Sequence, residues 1–365
     1  MNVLVDVTIG PAIEFIRKIK NGKVAIVHGH DNDSICSAAI IYRLLKKIHK
    51  IEPKLVASEF NYAISKNVLN EVKKLKAEYV IAVDLAEINV DLLTELRNIS
   101  QVMLIDHHTP RGYVKITYVN PRNYDKSIYL PATYLCYKIY EKLADAKEIL
   151  WIAGIGTLSD MGLKNCKDLF EDIKYHHKEL IGNNENIDEI LFDKSLLGKL
   201  AKIFDSARVV NGIDGAIAAL DVLLKTGNYQ NVLNGEVSGS KKLLDWYGLS
   251  EKEFNRLLKD FSVKKKTIKK FVLYEVKSKY NMKSALATYL SKKMSSEVLV
   301  IYQKSGEYTD VSFRRGPVSI MDLNQLAINS IIGMPDSNGG GHIQAAACRF
   351  PTRYFKKFMG NLKSI

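Results

Sequence analysis

The segment VMLIDHHTP (Val102–Pro110) runs four apolar residues directly into Asp106, His107 and His108. Three other stretches place carboxylates in comparable settings: Asp31 and Asp33 in VHGHDNDS, Asp84 in VIAVDLAE, and Asp160 in TLSDMG. Carboxylate and imidazole are ligands that divalent ions such as Mn²⁺ and Mg²⁺ accept. A D-x-D turn can aim two carboxylates at neighbouring ions, Asp84 can bridge them, and His107 and Asp160 can complete the set. Two such ions about 3.5–4 Å apart activate a water and stabilise the attacking and leaving oxygens at phosphorus. The chemistry needs several carboxylates, because one cannot neutralise two divalent ions, and without the ions like charges so close repel.

Each piece alone has a structural alternative. A D-x-D is commonly a turn or a helix cap, and Asp33 and Ser34 can cap the helix that follows. Asp84 or Asp160 alone can serve a loop. The four together, three of them directly after apolar runs, are expected to form one site. By contrast His176-His177 lies in the polar stretch YHHKEL with no preceding strand, and reads as a solvated pair.

Such residues meet only if the elements before them align. Val24–Val27 is a continuous apolar run, as in a strand buried on both faces, and SICSAAIIYRLLKKIHK after it has helical spacing. Residues 54–59 and 67–75 repeat strand and helix, Val80–Val83 leads to Asp84, DLLTELRN is a helix, and Val102–Ile105 leads to Asp106. A short amphipathic helix over 10–20 precedes them. Alternating strands and helices imply an α/β fold with a parallel sheet. Right-handed crossovers put the carboxyl ends of the strands along one edge, where ligand sites lie. PATYLCYKIYEKL and ILWIAGIGTLSDMG read as helices, the second carrying Asp160 towards that edge. Residues 164–265 are mostly helical by pattern, with a loop at 181–188 and a break at Asn211-Gly212. From Lys270 strands return (FVLYEVKS, VLVIYQKSG, YTDVSFRRG), then the helix MDLNQLAINSI and NGGGHIQAAACRF. The expected organisation is a parallel-sheet domain over 1–190, a helical connector over 191–267, and a smaller α/β domain over 268–365.

The order D-x-D, D, D-H-H, D resembles the DHH phosphoesterase superfamily. The stretch Gly339-Gly340-Gly341-His342-Ile343-Gln344-Ala345-Ala346, with Ser312-Phe313-Arg314 upstream, resembles its DHHA1 domain. The resemblance covers nearly the whole chain and is nearest to RecJ-like single-strand exonucleases of the archaeal kind. It implies that Asp31 binds a first metal, Asp33 a second, and Asp84 both, with His107 and Asp160 on the second. His108 would contact the scissile phosphate or orient His107, and Asp106 would support the histidine pair. Gly339, Gly340 and Gly341 would bring backbone N–H groups close to a substrate phosphate, which His342 and Arg314 would also bind. A helix over HIQAAAC would add anion affinity at its N-terminus. Two departures stand out. The histidine expected before the first Asp is His28 or His30, with His28 preferred because it ends the strand. Ser34 replaces the usual Gly, a form nearer the inorganic pyrophosphatase branch, against which the Gly-Gly-Gly-His stretch argues.

The chain of 365 residues carries 53 Lys and Arg against 40 Asp and Glu, a net charge of +13. This favours a polyanionic partner, nucleic acid before a membrane surface. Cys36, Cys136, Cys166 and Cys348 form no C-x-x-C pair, so a zinc ribbon or thioredoxin-type site is not expected, and they read as buried thiols of a cytoplasmic protein. No apolar run reaches membrane-spanning length. The reading is a phosphodiesterase using two divalent ions, manganese first and magnesium second. Its expected substrate is single-stranded DNA or RNA held in a cleft between domains and degraded to 5′-mononucleotides. The alternatives are small nucleotides (short oligonucleotides, cyclic dinucleotides, 3′-phosphoadenosine nucleotides), or a non-catalytic scaffold for replication or repair proteins. Phe313 and Tyr308 lie in strand-like segments, where core packing is expected over base stacking.

Overall fold

In the computed structural model the described residues are 2–59, 63–85, 89–110, 115–182, 192–341 and 343–365. The chain divides into two compact units, Met1–Tyr247 and Gly248–Ile365.

In the first unit, β1 (Val24–His28), β2 (Lys54–Ala57), β3 (Tyr79–Val83), β4 (Gln101–Ile105) and β5 (Thr117–Val119) form one sheet in the order β2-β1-β3-β4-β5. Every pair is parallel. The uninterrupted apolar strands are explained by burial on both faces. Ile26, Ile81, Val83, Met103 and Ile105 pack into the larger core with helices α1 (Asn2–Lys18), α2 (Asn32–His49), α5 (Ala132–Leu143) and α6 (Leu150–Ser159). Ala25, Val27, Val80, Ala82 and Leu104 face the other way, onto α3 (Lys66–Leu75) and α4 (Val90–Ile99). The register aligns His28, Val83 and Ile105, so the segments after β1, β3 and β4 leave the sheet side by side.

Helix α1 starts well before the expected residue 10, because Val5, Ile9, Ala12, Ile16 and Ile19 extend the buried stripe towards the N-terminus. Two short helices follow α6, α7 (Lys167–His176) and α8 (Lys178–Ile181). His176 is exposed at the end of α7, and His177 packs edge-on against Tyr229. Most of the loop expected at 181–188 lies outside the described residues. Helix α9 (Leu196–Lys225) packs on α2 and α6, and it kinks where expected. Asn211 and Gly212 leave helical geometry, Gly212 with a φ of 57°. A Cβ on Gly215 would lie 1.9 Å from the Ala207 carbonyl oxygen, so the kink closes on a position only glycine fills. Helices α10 (Tyr229–Leu233) and α11 (Ser240–Lys264) follow, and the division between units falls within α11.

The second unit holds a six-stranded sheet in the order β10-β11-β9-β8-β7-β6. Its strands are β6 (Lys266–Ile268), β7 (Phe271–Glu275), β8 (Val298–Ser305), β9 (Tyr308–Arg315), β10 (Asn338–Gly341) and β11 (Ala345–Pro351). Only β7 and β8 run parallel, joined through α12 (Lys283–Ser291), which packs on β8 and β9. Helices α13 (Leu323–Ser330) and α14 (Phe355–Ser364) cover the other face around Val311, Phe313, Phe350 and Phe358. The helix expected over HIQAAAC is not formed. Ala345–Pro351 is strand β11, and the glycines themselves form β10, its antiparallel partner. Ala346, Cys348 and Phe350 are buried at every second position, a strand period that three consecutive alanines conceal. All four cysteines are buried thiols. No helix among the described residues is long and apolar enough to cross a membrane.

Candidate metal centre

The parallel sheet brings the first unit's candidate residues to its carboxyl edge. Asp31 caps α2, its Oδ1 accepting the Ser34 N–H at 3.0 Å. Asp33, within the first turn of α2, reaches across to the start of α5. Its two oxygens accept the Ala132 and Thr133 N–H groups at 2.9 and 2.7 Å, and the Thr133 hydroxyl donates to its carbonyl. A carboxylate at a helix N-terminus satisfies amides that have no partner within the helix. Asp84 leaves β3 with a φ of 56°, a left-handed conformation that aspartate tolerates better than most residues. Its N–H donates to Ile105 O at 2.8 Å, and its Oδ2 accepts the Ser34 hydroxyl at 2.6 Å. The serine in place of glycine thus holds the Asp84 carboxylate.

His107 is the meeting point. Its Nε2 lies 3.3 Å from Asp84 Oδ1, 3.4 Å from Asp160 Oδ2 and 3.6 Å from Asp33 Oδ2. Asp160 caps the end of α6, and the Tyr129 hydroxyl donates to its Oδ2 at 2.6 Å. The approach of α6 depends on Gly156, where a Cβ would lie 2.2 Å from Thr133 Oγ1 and 2.9 Å from Cys36 Cβ. Two sets of ligand atoms gather within 4.8 Å of one another: Asp33, His107 and Asp160, and Asp84, Asp106, His107 and His108. His108 donates its Nδ1–H to Asp106 Oδ1 at 2.8 Å, and Asp106 is fully buried beside Tyr118 and Asn120. Asp31 is outside both sets, but its charge acts on Asp84 and His107.

The donor set fits a divalent cation. Asp84 Oδ1 and His107 Nδ1 are buried with no hydrogen-bond partner, and buried polar atoms are otherwise nearly always paired. Burial, reinforced by Asp160, pushes the Asp33 carboxyl up to about 7. Burial and the neighbouring Asp31 and Asp33 hold Asp84 well above the ordinary carboxylate range. Burial opposes charge on His107, yet Asp160 and Asp33 outweigh it and raise its pKa. Burial likewise opposes charge on both members of the His108–Asp106 pair, but their hydrogen bond raises His108 and lowers Asp106. The metal-free centre therefore holds protons that a cation would replace.

Neither first-motif histidine belongs to the two sets. His28 Nδ1 donates to Gly29 O at 2.7 Å, and burial lowers its pKa to about 4. His30 Nε2 donates to Ser58 O, and burial lowers it too. Both are neutral at pH 7, and the carbonyl bonds direct the lone pair of His28 to Nε2 and that of His30 to Nδ1. In the second unit Arg314 lies on β9 opposite Ala345, desolvated, and its Nη1 donates to the Phe313 carbonyl. Gly339, Gly340 and Gly341 form the edge strand next to it but one, and Gly341 N–H is taken by Asn324 Oδ1 at 3.0 Å. His342 lies outside the described residues. Phe313 is fully buried, and Tyr308 is covered by Arg349 at 4.6 Å.

Several members of the centre have no sequence motif. Tyr129 and Asn120 are loop residues given their roles by tertiary contact. Arg208, on α9, pairs with Asp205 at 2.7 Å and lies in the field of Asp31 and His30. Its only sequence signal is a charge in a largely apolar helix just before the Asn211-Gly212 break.

Residues 23–157 match the model described as the DHH family, N-terminal domain. This region is a DHH domain. The chain also shares its fold with solved structures over nearly its full length. RecJ from Thermus thermophilus in complex with Mn²⁺ is 15% identical, with a TM-score of 0.75, covering 98% of this chain and 54% of that one. A second exonuclease RecJ bound to manganese is 15% identical, with a TM-score of 0.72, covering 97% and 92%. The DHH domain of a protein from a family of ribosomal proteins is 17% identical, with a TM-score of 0.73, covering 99% and 90%. The chain thus spans about half the length of the Thermus protein. No curated protein matches the sequence.

Proposed function

We propose that this DHH protein is a metal-dependent phosphodiesterase that degrades single-stranded nucleic acid from an end, releasing 5′-mononucleotides. The observation that carries the reading is the convergence of Asp33, Asp84 and Asp160 on His107 Nε2, with buried donor atoms left unpartnered. Asp31, Asp33, Asp84, His107, Asp160 and His28 are the proposed ligands of two divalent ions, manganese before magnesium. When bound, such ions supply an activated water and neutralise charge developing at phosphorus. Asp84 would serve both. The chain itself supplies orientation: Asp106 fixes the His108 ring through Nδ1, leaving Nε2 for a phosphate oxygen. Ser34 and Tyr129 hold the Asp84 and Asp160 carboxylates. Arg208 would offer a charge to a phosphate near Asp31, and Arg314 with the glycine strand a second anion contact. The RecJ fold over nearly the whole chain and the +13 charge support a nucleic-acid substrate.

The test is digestion of end-labelled single-stranded DNA and RNA with manganese, beside a dinucleotide and a cyclic dinucleotide. Stepwise shortening of the long strands, stopped by a chelator, is expected. Cleavage of the small substrates alone would transfer the activity to small nucleotides. No hydrolysis of any of them would leave a scaffold.

A further inference from the structure

The net charge lies almost wholly on one unit. Residues 248–365 carry 21 Lys and Arg against 9 Asp and Glu, a net of +12 out of the chain's +13. Its densest run is Lys264, Lys265, Lys266, Lys269 and Lys270, all exposed. This run builds β6, an outer strand of the six-stranded sheet, and the turn into β7. Lys269 has a φ of 51° in a two-residue hairpin turn, where glycine or asparagine is the easier choice. Turn geometry therefore does not account for lysine there. Few acidic groups oppose the run. Asp260 pairs with Lys264 at 2.6 Å, and Glu297 lies in the field of Lys265. Among the described residues, Lys266, Lys269 and Lys270 have no carboxylate partner. Lys269 Nζ donates to the Lys363 carbonyl at 2.6 Å, which brings the last turn of α14 and the exposed Lys363 to the same edge.

We propose that this β6 edge is a sequence-independent track for the phosphate backbone of single-stranded nucleic acid, separate from the glycine strand β10. The inference rests on the proposed nuclease reading and specifies its substrate as a strand of several nucleotides. β6 and β10 are the two outer strands of the sheet. Five strand spacings of about 4.8 Å separate them by roughly 24 Å, a span that a dinucleotide does not cover and a longer strand does. Exposed ammonium groups with few carboxylate partners suit backbone contact without base readout.

The test uses the full chain in a chelator, so that binding is read without hydrolysis. A labelled single strand of about twenty nucleotides is titrated across a salt series, by anisotropy, with wild type and with the combined variant Lys265→Gln, Lys266→Gln, Lys269→Asn, Lys270→Gln. A control variant neutralises Lys20, Lys50, Lys74 and Lys76 in the first unit. Each lost phosphate contact removes about 0.7 from the log–log salt slope, so a loss of about 2–3 in slope and at least tenfold in affinity is expected. Manganese-dependent cleavage of a dinucleotide should be unchanged in the same variant. Wild-type affinity and slope in the variant, with wild type still degrading long strands, would overturn the track and leave the nuclease reading intact, with the lysines only shielding a sheet edge. If wild type cleaves the dinucleotide but neither binds nor degrades the long strand, the nuclease reading fails and the track with it.

Discussion

Replacing Asp84 by asparagine separates a metal ligand from a structural carboxylate, because the two roles predict opposite signs. The substitution keeps the size of the side chain, and asparagine accepts the left-handed backbone (φ 56°) as readily as aspartate. Its carbonyl oxygen can still accept the Ser34 hydroxyl. What disappears is a buried negative charge that its surroundings oppose, through burial first and then Asp31 and Asp33. Asp84 Oδ1 and Asp33 Oδ2 lie 3.3 and 3.6 Å from the same His107 nitrogen, so they cannot be far apart. At a separation of about 7 Å and an effective dielectric of about 20, one such like-charge contact costs about 2 kcal/mol. Metal-free Asp84→Asn is therefore expected to be more stable than wild type at pH 8 by about 2 kcal/mol, a few degrees in Tm for a unit of this size. At pH 5 fewer wild-type molecules carry the Asp84 charge, because its pKa is raised, and the difference narrows. Manganese reverses the order: saturation at about 100 times Kd adds about 2.7 kcal/mol to wild type, and the variant gains far less. Thermal melts at both pH values, in chelator and in manganese, read all four numbers. A variant that melts below wild type in chelator at pH 8, with an equal manganese shift in both proteins, would refute the assignment.

The pH dependence of the metal-free protein should follow the same logic. Asp33 has a folded pKa raised to about 7, so between its unfolded value near 3.8 and 7 the folded state holds the extra proton. Stability is then fullest at low pH in that window and falls as pH rises, by up to about 1.4 kcal/mol per pH unit for one group. His107, also raised, adds to the loss above its unfolded value of 6.5. Urea titrations from pH 4.5 to 8 in chelator check the slope, and saturating manganese should flatten it. Asp106→Asn removes the acceptor that orients His108 and should lower kcat by roughly 10–100-fold, with the fold intact by circular dichroism. Tyr129→Phe removes the hydrogen bond to Asp160 and should weaken manganese binding about tenfold by calorimetry, a bond to a charged group being worth about 1.5–3 kcal/mol. Gly215→Ala forces a methyl group to within 1.9 Å of the Ala207 carbonyl in the α9 kink. It should cost about 3 kcal/mol or more in denaturant unfolding, with manganese affinity changed little.

Local pattern carried much of the first unit. Continuous apolar runs can be strands only if both faces are covered, and the helical periods between them supply the cover. From these follow a parallel sheet, a shared carboxyl edge, and Asp31, Asp33, Asp84 and Asp106–His108 along it. The Asn211-Gly212 break was legible because glycine at positive φ interrupts a helix for local steric reasons. In the second unit local pattern is ambiguous at Ala345–Ala347, since alanine suits helix and strand alike and only pairing with β9 and β10 selects the strand. Three-residue β5, which has too little length to show a period, passed unseen.

The sequence by itself determined which atoms the centre could use, because ligand chemistry belongs to residue type. It also determined that three of the clusters would share an edge, because right-handed crossovers, a consequence of chain chirality, put the carboxyl ends of parallel strands on one side. Tertiary structure alone decided that His107 Nε2 is where Asp33, Asp84 and Asp160 meet, that Ser34 holds Asp84, Tyr129 holds Asp160 and Asn120 holds Asp106, and that Arg208 lies in the field of Asp31. Those are relations between residues up to 177 positions apart, and the meeting at His107 is set by how α2, α5 and α6 pack through Gly156 and Thr133. Packing of that kind is decided by the fit of many side chains at once, which no single stretch of sequence contains.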